Sequence, residues 1–528
     1  MLILSKFFGF SSGVEANLKR FKTIKFSFIF LILLFISAGP GFSQTVSLTL
    51  LHTNDTHGHL LPFSYPALSD PCSPLTNLSE RKDIGGIARR TTLVKQIRSE
   101  LQSKGTTVWL IDAGDFSDGT PFSTEFHGEA DMAAMNAAGY DFAVLGNHDF
   151  NYTLSHVRKL IDQAHYPILC ANVAFTDNGW SLTPLFKIEQ VESLRVGIFG
   201  LVTKEARSFP AVQEGLEIEG EVATARKIAA KLRSKTDIII LISHCGEEMD
   251  KKIAKAVPEI DVIIGGHSHS RLPFGEFIQR PEALQSGRMN GTVIVQAHQW
   301  GGELGRCDLL FEKEASGQWH LERYQARLIS ITAAIRPDEK SAEGIKQYWE
   351  RIPARYSEVI GRAVADFSRR CSDMAEHNLV ADAVREIFGT EIEFENLGGV
   401  RAPLLKGEIT RGDLVTLDPF DNTVVTFKIT GKKIREILKK YAPAVSGLRY
   451  RLEERELREV SVNGQSLQND RVYSAATNSH FAERALKGIS VQDTQKQRLD
   501  VLIDYIRKKG TVHPSYDGRR IVINEKMD

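Results

Sequence analysis

Five short polar clusters, each directly after an apolar run, gather side chains that bind metals and move protons. They are Asp55 and His57 in HTNDTH, Asp115 in DAGD, Asn147 and His148 in GNHD, His244 in SHCG, and His267 with His269 in GGHSHS. One Asp or His in a loop is ordinarily solvated or capping. Five recurrences between positions 55 and 269 form a donor set of imidazole, carboxylate and amide oxygen. That set suits zinc, manganese or iron, whereas magnesium takes oxygen almost alone. Side chains at i and i+2 of an extended segment point the same way, so Asp55/His57 and His267/His269 read as pairs reaching toward one site. The expectation is a centre for two divalent ions. Gly114, Gly146, Gly265 and Gly266 flank these groups and allow sharp turns and close loop packing.

The elements that must position them follow from the intervening pattern. VSLTLL, TVWLI, FAVL, DIIILI and DVII read as buried strands. Helical periodicity covers 87–101, 130–138, 154–164 and 221–234, so the chain alternates as an α/β protein with its functional groups at strand ends. Around 332–355 the strand pattern yields to the charged, helix-compatible PDEKSAEGIKQYWERIPARY. A second α/β pattern then runs through LVADAVREIF, NLGGVRAPLL and DPFDNTVVTFKITG, with a hairpin turn expected at Asn463-Gly464. The expected division is a leader over 1–43, a metal-binding domain over 44–331, a connector helix over 332–358 and a second domain over 359–528.

A chain of 528 residues exceeds one ordinary core, and 42% hydrophobic with 25% charged residues is the balance of a globular protein. Lys plus Arg equal Asp plus Glu at 66 each. The first 43 residues hold five basic residues (Lys6, Lys19, Arg20, Lys22, Lys25) and one acidic residue (Glu15), so the remainder carries 61 against 65, a net −4. The basic excess of a long-nucleic-acid binder is missing, so a nucleotide ligand is expected to be small. The basic residues up to Lys25, the apolar run 26–39 and Gly41-Phe42-Ser43 form a secretory signal cut before Gln44, leading to a periplasm or the cell exterior. The run is short for a membrane span, and none is expected after cleavage. Cys72, Cys170, Cys245, Cys307 and Cys371 stand singly, which indicates neither a thiolate zinc site nor a dense disulfide framework, allows one or two disulfides and leaves at least one thiol unpaired. Nothing in the sequence speaks to oligomeric state.

Taken in order, LLHTNDTHGHL, DAGDFSDGTP, GNHDF, SHCG and GGHSHS, followed by NLGGVRAPL and DPFDN, resemble the 5′-nucleotidase family within the calcineurin-like metallophosphoesterases. The likeness covers nearly all of the chain after Gln44. It implies an N-terminal four-layer α/β/β/α metallophosphoesterase sandwich and a smaller C-terminal α/β substrate-binding domain. A helical connector, about which the second domain rotates, joins them. It also implies Asp55, His57, Asp115 and His269 on one metal, with Asp115 bridging to a second held by Asn147, His244 and His267. His148 becomes the catalytic histidine near the leaving group. In the second half the resemblance brings Asn396 and Arg401, with Arg370 as a companion, to the substrate phosphate, and Phe420 and Phe481 to the two faces of a nucleobase.

Two departures bear on substrate. Nucleotidases proper read GNHEFD, with an aspartate three positions after the catalytic histidine, whereas this chain has Asn151 in GNHDFN. An amide orients an imidazole without offering it charge. Relatives that hydrolyse 2′,3′-cyclic nucleotides also resemble GNHEFN. The GGDG that follows the second aromatic in nucleotidases is replaced by FAERALKG, which lacks the aspartate for the ribose hydroxyls. The expected function is hydrolysis of nucleoside 5′-monophosphates by a metal-activated water. The alternatives are a 2′,3′-cyclic nucleotide phosphodiesterase or another phosphate or sulfate ester hydrolase on the same site. A non-catalytic metal-containing binding protein predicts decayed ligands or a lost His148, and neither is seen.

Overall fold

Val, Ile and Leu fill the strands of the N-terminal half, where both faces of a sheet are covered and the strands are apolar throughout. The computed structural model describes residues 44–66, 81–280 and 289–523, so the expected leader and Cys72 lie outside the described residues. In chain order the strands are β1 (Thr45–Thr53), β2 (Thr107–Asp112), β3 (Phe142–Ala143), β4 (Lys187–Val191), β5 (Leu194–Val202) and β6 (Ile238–His244). They continue as β7 (Val262–Gly265), β8 (Glu276–Gln279), β9 (Gly291–Val295), β10 (Glu303–Lys313) and β11 (Trp319–Ser330). One sheet runs β11-β10-β1-β2-β3 and the other β8-β9-β7-β6-β5-β4. In the first, β1, β2 and β3 are parallel; in the second, β5, β6, β7 and β9 are parallel.

Period-two alternation decides which core each side chain joins. Ile238, Ile240 and Ile242 share a cluster with Leu48, Leu50 and Ile111 of the other sheet. Ile239 and Leu241 point away, into a second cluster with Ile228 and Leu232 of helix α4 and Ile253 of α5. The helices are α1 (Ile87–Gln102), α2 (Glu129–Ala138), α3 (Leu154–Gln163), α4 (Glu221–Arg233) and α5 (Glu247–Ala256). Helical periodicity in the sequence marks the first four to within two residues. FAVL is strand only over Phe142–Ala143, although the Val144 N–H still bonds Asp112 O at 3.1 Å.

The segment read as a connector helix over 332–358 is helical over a shorter stretch, α6 (Glu339–Trp349). Pro337 precedes it, the Asp338 carboxylate caps the Ser341 N–H at 3.0 Å, and Pro353 ends any continuation. It packs on α1 and α2, and Ile345 joins the N-terminal core.

The C-terminal half has its own apolar cluster, which includes Phe394, Phe427, Tyr473 and Phe481. Its main elements are α7 (Ala375–Phe388), β12 (Ile392–Glu395), β13 (Thr423–Thr430), α8 (Gly431–Tyr441), β14 (Ala444–Ser446), β15 (Val472–Asn478), β16 (Val491–Gln497) and α9 (Arg498–Lys509). The sheet order is β14-β12-β15-β13-β16. Strands Glu456–Val462 and Gln465–Ser466 pair across Asn463-Gly464, whose φ angles of 48° and 79° are those of a two-residue hairpin turn. Cys371 is disulfide-bonded, and Cys170, Cys245 and Cys307 are free and buried. Among the described residues no helix is long and apolar enough to cross a membrane.

Candidate metal centre and substrate cleft

The loops that leave β1, β2, β3, β6 and β7 converge, and backbone hydrogen bonds tie them together. Asp55 N bonds Gly114 O at 2.9 Å, and His57 N bonds Asp115 O at 3.0 Å. A Cβ on Gly146 would sit 2.1 Å from Asp115 Oδ1, and one on Gly114 would sit 2.7 Å from His244 Nδ1, so these crossings need glycine.

Two trios of donor atoms result, Asp55/His57/His269 and Asp115/His244/His267, each with its atoms within 4.8 Å of one another. His269 Nε2 lies 3.2 Å from Asp55 Oδ1, and His57 Nε2 lies 3.3 Å from His269 Nε2. Asp115 Oδ2 is 3.2 Å from His244 Nε2 and 3.8 Å from His57 Nε2, so this carboxylate faces both trios. Extended geometry is not what brings the pairs together. Asp55, His57, Asp115, His267 and His269 all have φ between 46° and 74°, in the left-handed region. His267 and His269 accordingly go to different trios. Non-glycine residues persist there only where the surroundings over-determine them, and such strain clusters at functional sites.

The surroundings aim the imidazoles. His244 Nδ1–H donates to Ala113 O at 2.6 Å and His57 Nδ1–H to Asp118 O at 2.8 Å, which points each Nε2 into the cleft. Asn54 Nδ2 donates to Asp55 Oδ2 at 2.7 Å, and its Oδ1 accepts from Ala297 N at 2.8 Å. Asp149, 1% exposed, accepts from Asp115 N at 3.1 Å, Gly146 N at 2.8 Å and Ser117 Oγ at 2.9 Å. Burial alone would raise the Asp115 carboxyl, but the charges of His244 and His148 reverse this and hold it well below the ordinary carboxylate range. Burial and then the Arg401 charge push His57 down, so it stays neutral and able to ligate.

The donor set fits divalent cations on an observation of its own. Asn147 Oδ1 and His244 Nε2 are buried with no hydrogen-bond partner, a cost that a cation in the cleft would remove.

His148 stands beside the trios, its ring centroid 5.4 Å from that of His57. Its Nδ1 lies 2.9 Å from Asp118 Oδ2, and Asn151 Nδ2 donates to that same oxygen. Phe209 meets the His148 ring edge-on at 5.4 Å, and Phe420 stacks on it at 5.7 Å with 26° between planes. From the C-terminal half, Arg401 Nη2 reaches His57 Nε2 at 2.7 Å.

The structure gives three other expected substrate groups partners of their own. Phe481 is 4% exposed in the C-terminal core, edge-on to Tyr441 at 5.5 Å, because the Asn478 cap turns it inward at the start of its helix. Arg370 lies over the Tyr516 ring at 3.8 Å; its neighbour Arg369 bonds Glu376 at 2.9 Å, and its charge bears on Arg401. Asn396 shapes its own turn, with its amide against Asn478 Nδ2 at 2.7 Å and the Gly399 N–H at 2.9 Å. Asn54, Asp118, Asp149, Phe209 and Arg369 were not singled out from the sequence. Asn54 and Asp149 adjoin ligand residues in TND and NHD, which was the available signal.

Comparison with known proteins agrees with this architecture. Residues 48–271 match the model of the calcineurin-like phosphoesterases, and residues 357–488 match that of the 5′-nucleotidase C-terminal domain. The chain is 26% identical over 442 residues to a 5′-nucleotidase of Vibrio vulnificus, covering 75% of each. It is 27% identical over 440 residues to protein UshA of Yersinia enterocolitica, covering 75% of this chain and 76% of that one. The crystal structure of a 5′-nucleotidase precursor from Thermus thermophilus superposes with a TM-score of 0.78 at 27% identity, over 91% of this chain and 100% of that one. A two-trio metal cradle, a phosphoesterase match over the half that builds it and a nucleotidase match over the half that supplies Arg401 lead to one conclusion: the chain belongs to the 5′-nucleotidase family of dinuclear metal-dependent phosphoester hydrolases.

Proposed function

We propose that this enzyme hydrolyses nucleoside 5′-monophosphates to nucleoside and phosphate, and does so in a periplasm or outside the cell after loss of residues 1–43. The observation that carries the substrate reading is Arg401. A guanidinium from the C-terminal half stands 2.7 Å from a ligand nitrogen of the metal cradle, where its fork of donors would meet a phosphate bound across the two halves. This supports a division of labour between a metal-binding domain over 44–331, a connector over 332–358 and a substrate domain over 359–528.

Asp55, His57 and His269 would hold one ion, and Asn147, His244 and His267 the other, with Asp115 shared between them; the donors suit zinc, manganese or iron. When bound, the two cations supply Lewis-acid chemistry, drawing electron density from the phosphoryl group and making a nucleophile of water at neutral pH. The chain's residues do the rest. Arg401 neutralises phosphate charge and fixes its orientation. His148, in its protonated form with Nδ1–H turned to Asp118, presents Nε2–H to the leaving oxygen and stabilises the charge that gathers there in the transition state. Phe420 offers an aromatic face beside the cleft, and Arg369 takes the place expected of Arg370.

A second reading keeps the machinery but changes the ester to a 2′,3′-cyclic nucleotide or another phosphate or sulfate ester. The inward turn of Phe481 favours it, because a single aromatic face grips a base less well than two. Phosphate release from AMP, other 5′-mononucleotides, UDP-glucose, 2′,3′-cyclic AMP and bis-p-nitrophenyl phosphate separates the two. Preference for AMP supports the nucleotidase reading, and preference for the cyclic or diester compounds replaces it with the second.

A further inference from the structure

We propose that Asp118 is the positioning residue of His148, supplying from the loop after β2 the carboxylate that nucleotidases proper carry at the position of Asn151. The inference rests on the reading of His148 as the group that meets the leaving oxygen.

His148 Nδ1 is 2.9 Å from Asp118 Oδ2, with side-chain exposures of 11% and 8%. Asn151 does not stand in for the missing aspartate. Its Nδ2 lies 3.3 Å from His148 Nδ1, and an amide NH₂ has no lone pair to offer an N–H. That NH₂ donates to Asp118 Oδ2 instead. One carboxylate oxygen thus accepts from Asn151 and lies 2.9 Å from His148 Nδ1, a position that suits a proton on that nitrogen. Asn151 holds Asp118, and Asp118 holds His148.

Two further observations make this more than a buried ion pair. Asp118 has φ 70°, a strained conformation for a non-glycine residue, and its carbonyl accepts from His57 Nδ1 at 2.8 Å. One residue therefore aims a metal-cradle imidazole with its backbone and the His148 imidazole with its side chain. Phe209 and Phe420 limit tilting of the His148 ring but cannot choose which nitrogen faces the cleft. A carboxylate on Nδ1 makes that choice, as the second partner of a functional imidazole generally does.

The test exchanges the two side chains in the full-length, zinc-loaded chain: D118N, N151D and the double variant D118N/N151D. Phosphate release gives kcat and KM, metal content controls for the cradle, and ¹⁵N shifts of the His148 ring, assigned by their loss in H148A, report the tautomer. D118N is expected to lower kcat roughly 10–100-fold with KM little changed and both metals retained. Its His148 should lose the Nδ1–H signal expected of the wild type. The double variant, with the carboxylate moved to position 151, should recover most of kcat and the wild-type ring shifts. N151D alone sets two carboxylates on one nitrogen and should remain impaired. Unchanged kcat and ring shifts in D118N would overturn the inference, as would a loss that the double variant restores in neither readout. If the wild type hydrolyses no ester, the hydrolase reading fails by itself, and the ring shifts across the same variants still decide whether Asp118 positions His148.

Discussion

Both halves of the molecule bury a cluster of carboxylates, and they neutralise it in opposite ways. In the C-terminal half Arg498, fully buried, donates to Asp418 at 2.5 and 2.8 Å, to Glu395 at 2.6 Å and to Gly399 O at 2.7 Å. In the N-terminal half Asp55 and Asp115 face imidazoles, and a ligand-type nitrogen and amide oxygen are left unsatisfied. A guanidinium keeps its charge and has no lone pair, so it holds its carboxylates without a cation, although Glu395 Oε2 is left unpartnered. An imidazole gives up its proton and offers a lone pair, so its cluster is complete only with a cation. The backbone repeats the contrast: five of the seven candidate ligands sit on left-handed residues, whereas Glu395, Asp418 and Arg498 do not. Buried charge alone does not mark a site; buried charge with spare lone pairs on strained backbone does.

Asp115→Ala tests the N-terminal side most severely. Loss of the carboxylate that faces both trios should cut ester hydrolysis by on the order of 10⁴-fold. Metal analysis should show fewer than two ions bound, and a full complement would contradict the shared role.

Arg498→Met tests the other side. It should leave metal content intact but destabilise the fold by about 3–5 kcal/mol, because Asp418 becomes an uncompensated buried charge. Denaturant unfolding measures this, and a neutral outcome would show that the network relaxes.

A third buried carboxylate sharpens the comparison. Asp112 meets the Thr53 hydroxyl at 2.6 Å and the Gly114 N–H at 3.0 Å, and burial pushes its carboxyl up to about 7. The folded chain therefore holds a proton that the unfolded chain has lost above its ordinary value of 3.8, so stability falls as pH rises from about 4 to 7. Asp112→Asn should remove that slope and gain roughly 4 kcal/mol on the wild type by pH 8. Equal slopes in paired melts would place the titration elsewhere.

The smallest effect is expected where the halves meet. Arg401→Lys keeps the charge but loses the fork, and should raise KM about tenfold, or about 1.4 kcal/mol, with both metals still bound. A change confined to kcat would argue against ground-state phosphate binding.

Helix α1 and the buried strands β1, β2, β6 and β7 were legible because apolar periodicity and strand-end punctuation are local properties. So were the metal-binding residue types, each of which follows its strand within a few positions. The orientation of Phe481 was not legible: its reading came from position in a string, whereas its burial depends on the Asn478 cap and on a core completed by Tyr441. Nor was it legible that Arg369, and not Arg370, meets Glu376 beside a two-residue strand.

The sequence by itself determined the order of the donor groups, their chemistry, the two-part α/β organisation and the loss of an aspartate at position 151. Only the tertiary structure decided that Arg401 crosses to His57 and that Asp118 meets His148. Those pairings depend on left-handed turns and on loops that close over long separations in the chain, and spacing along a sequence does not encode the direction in which such a turn aims its side chain.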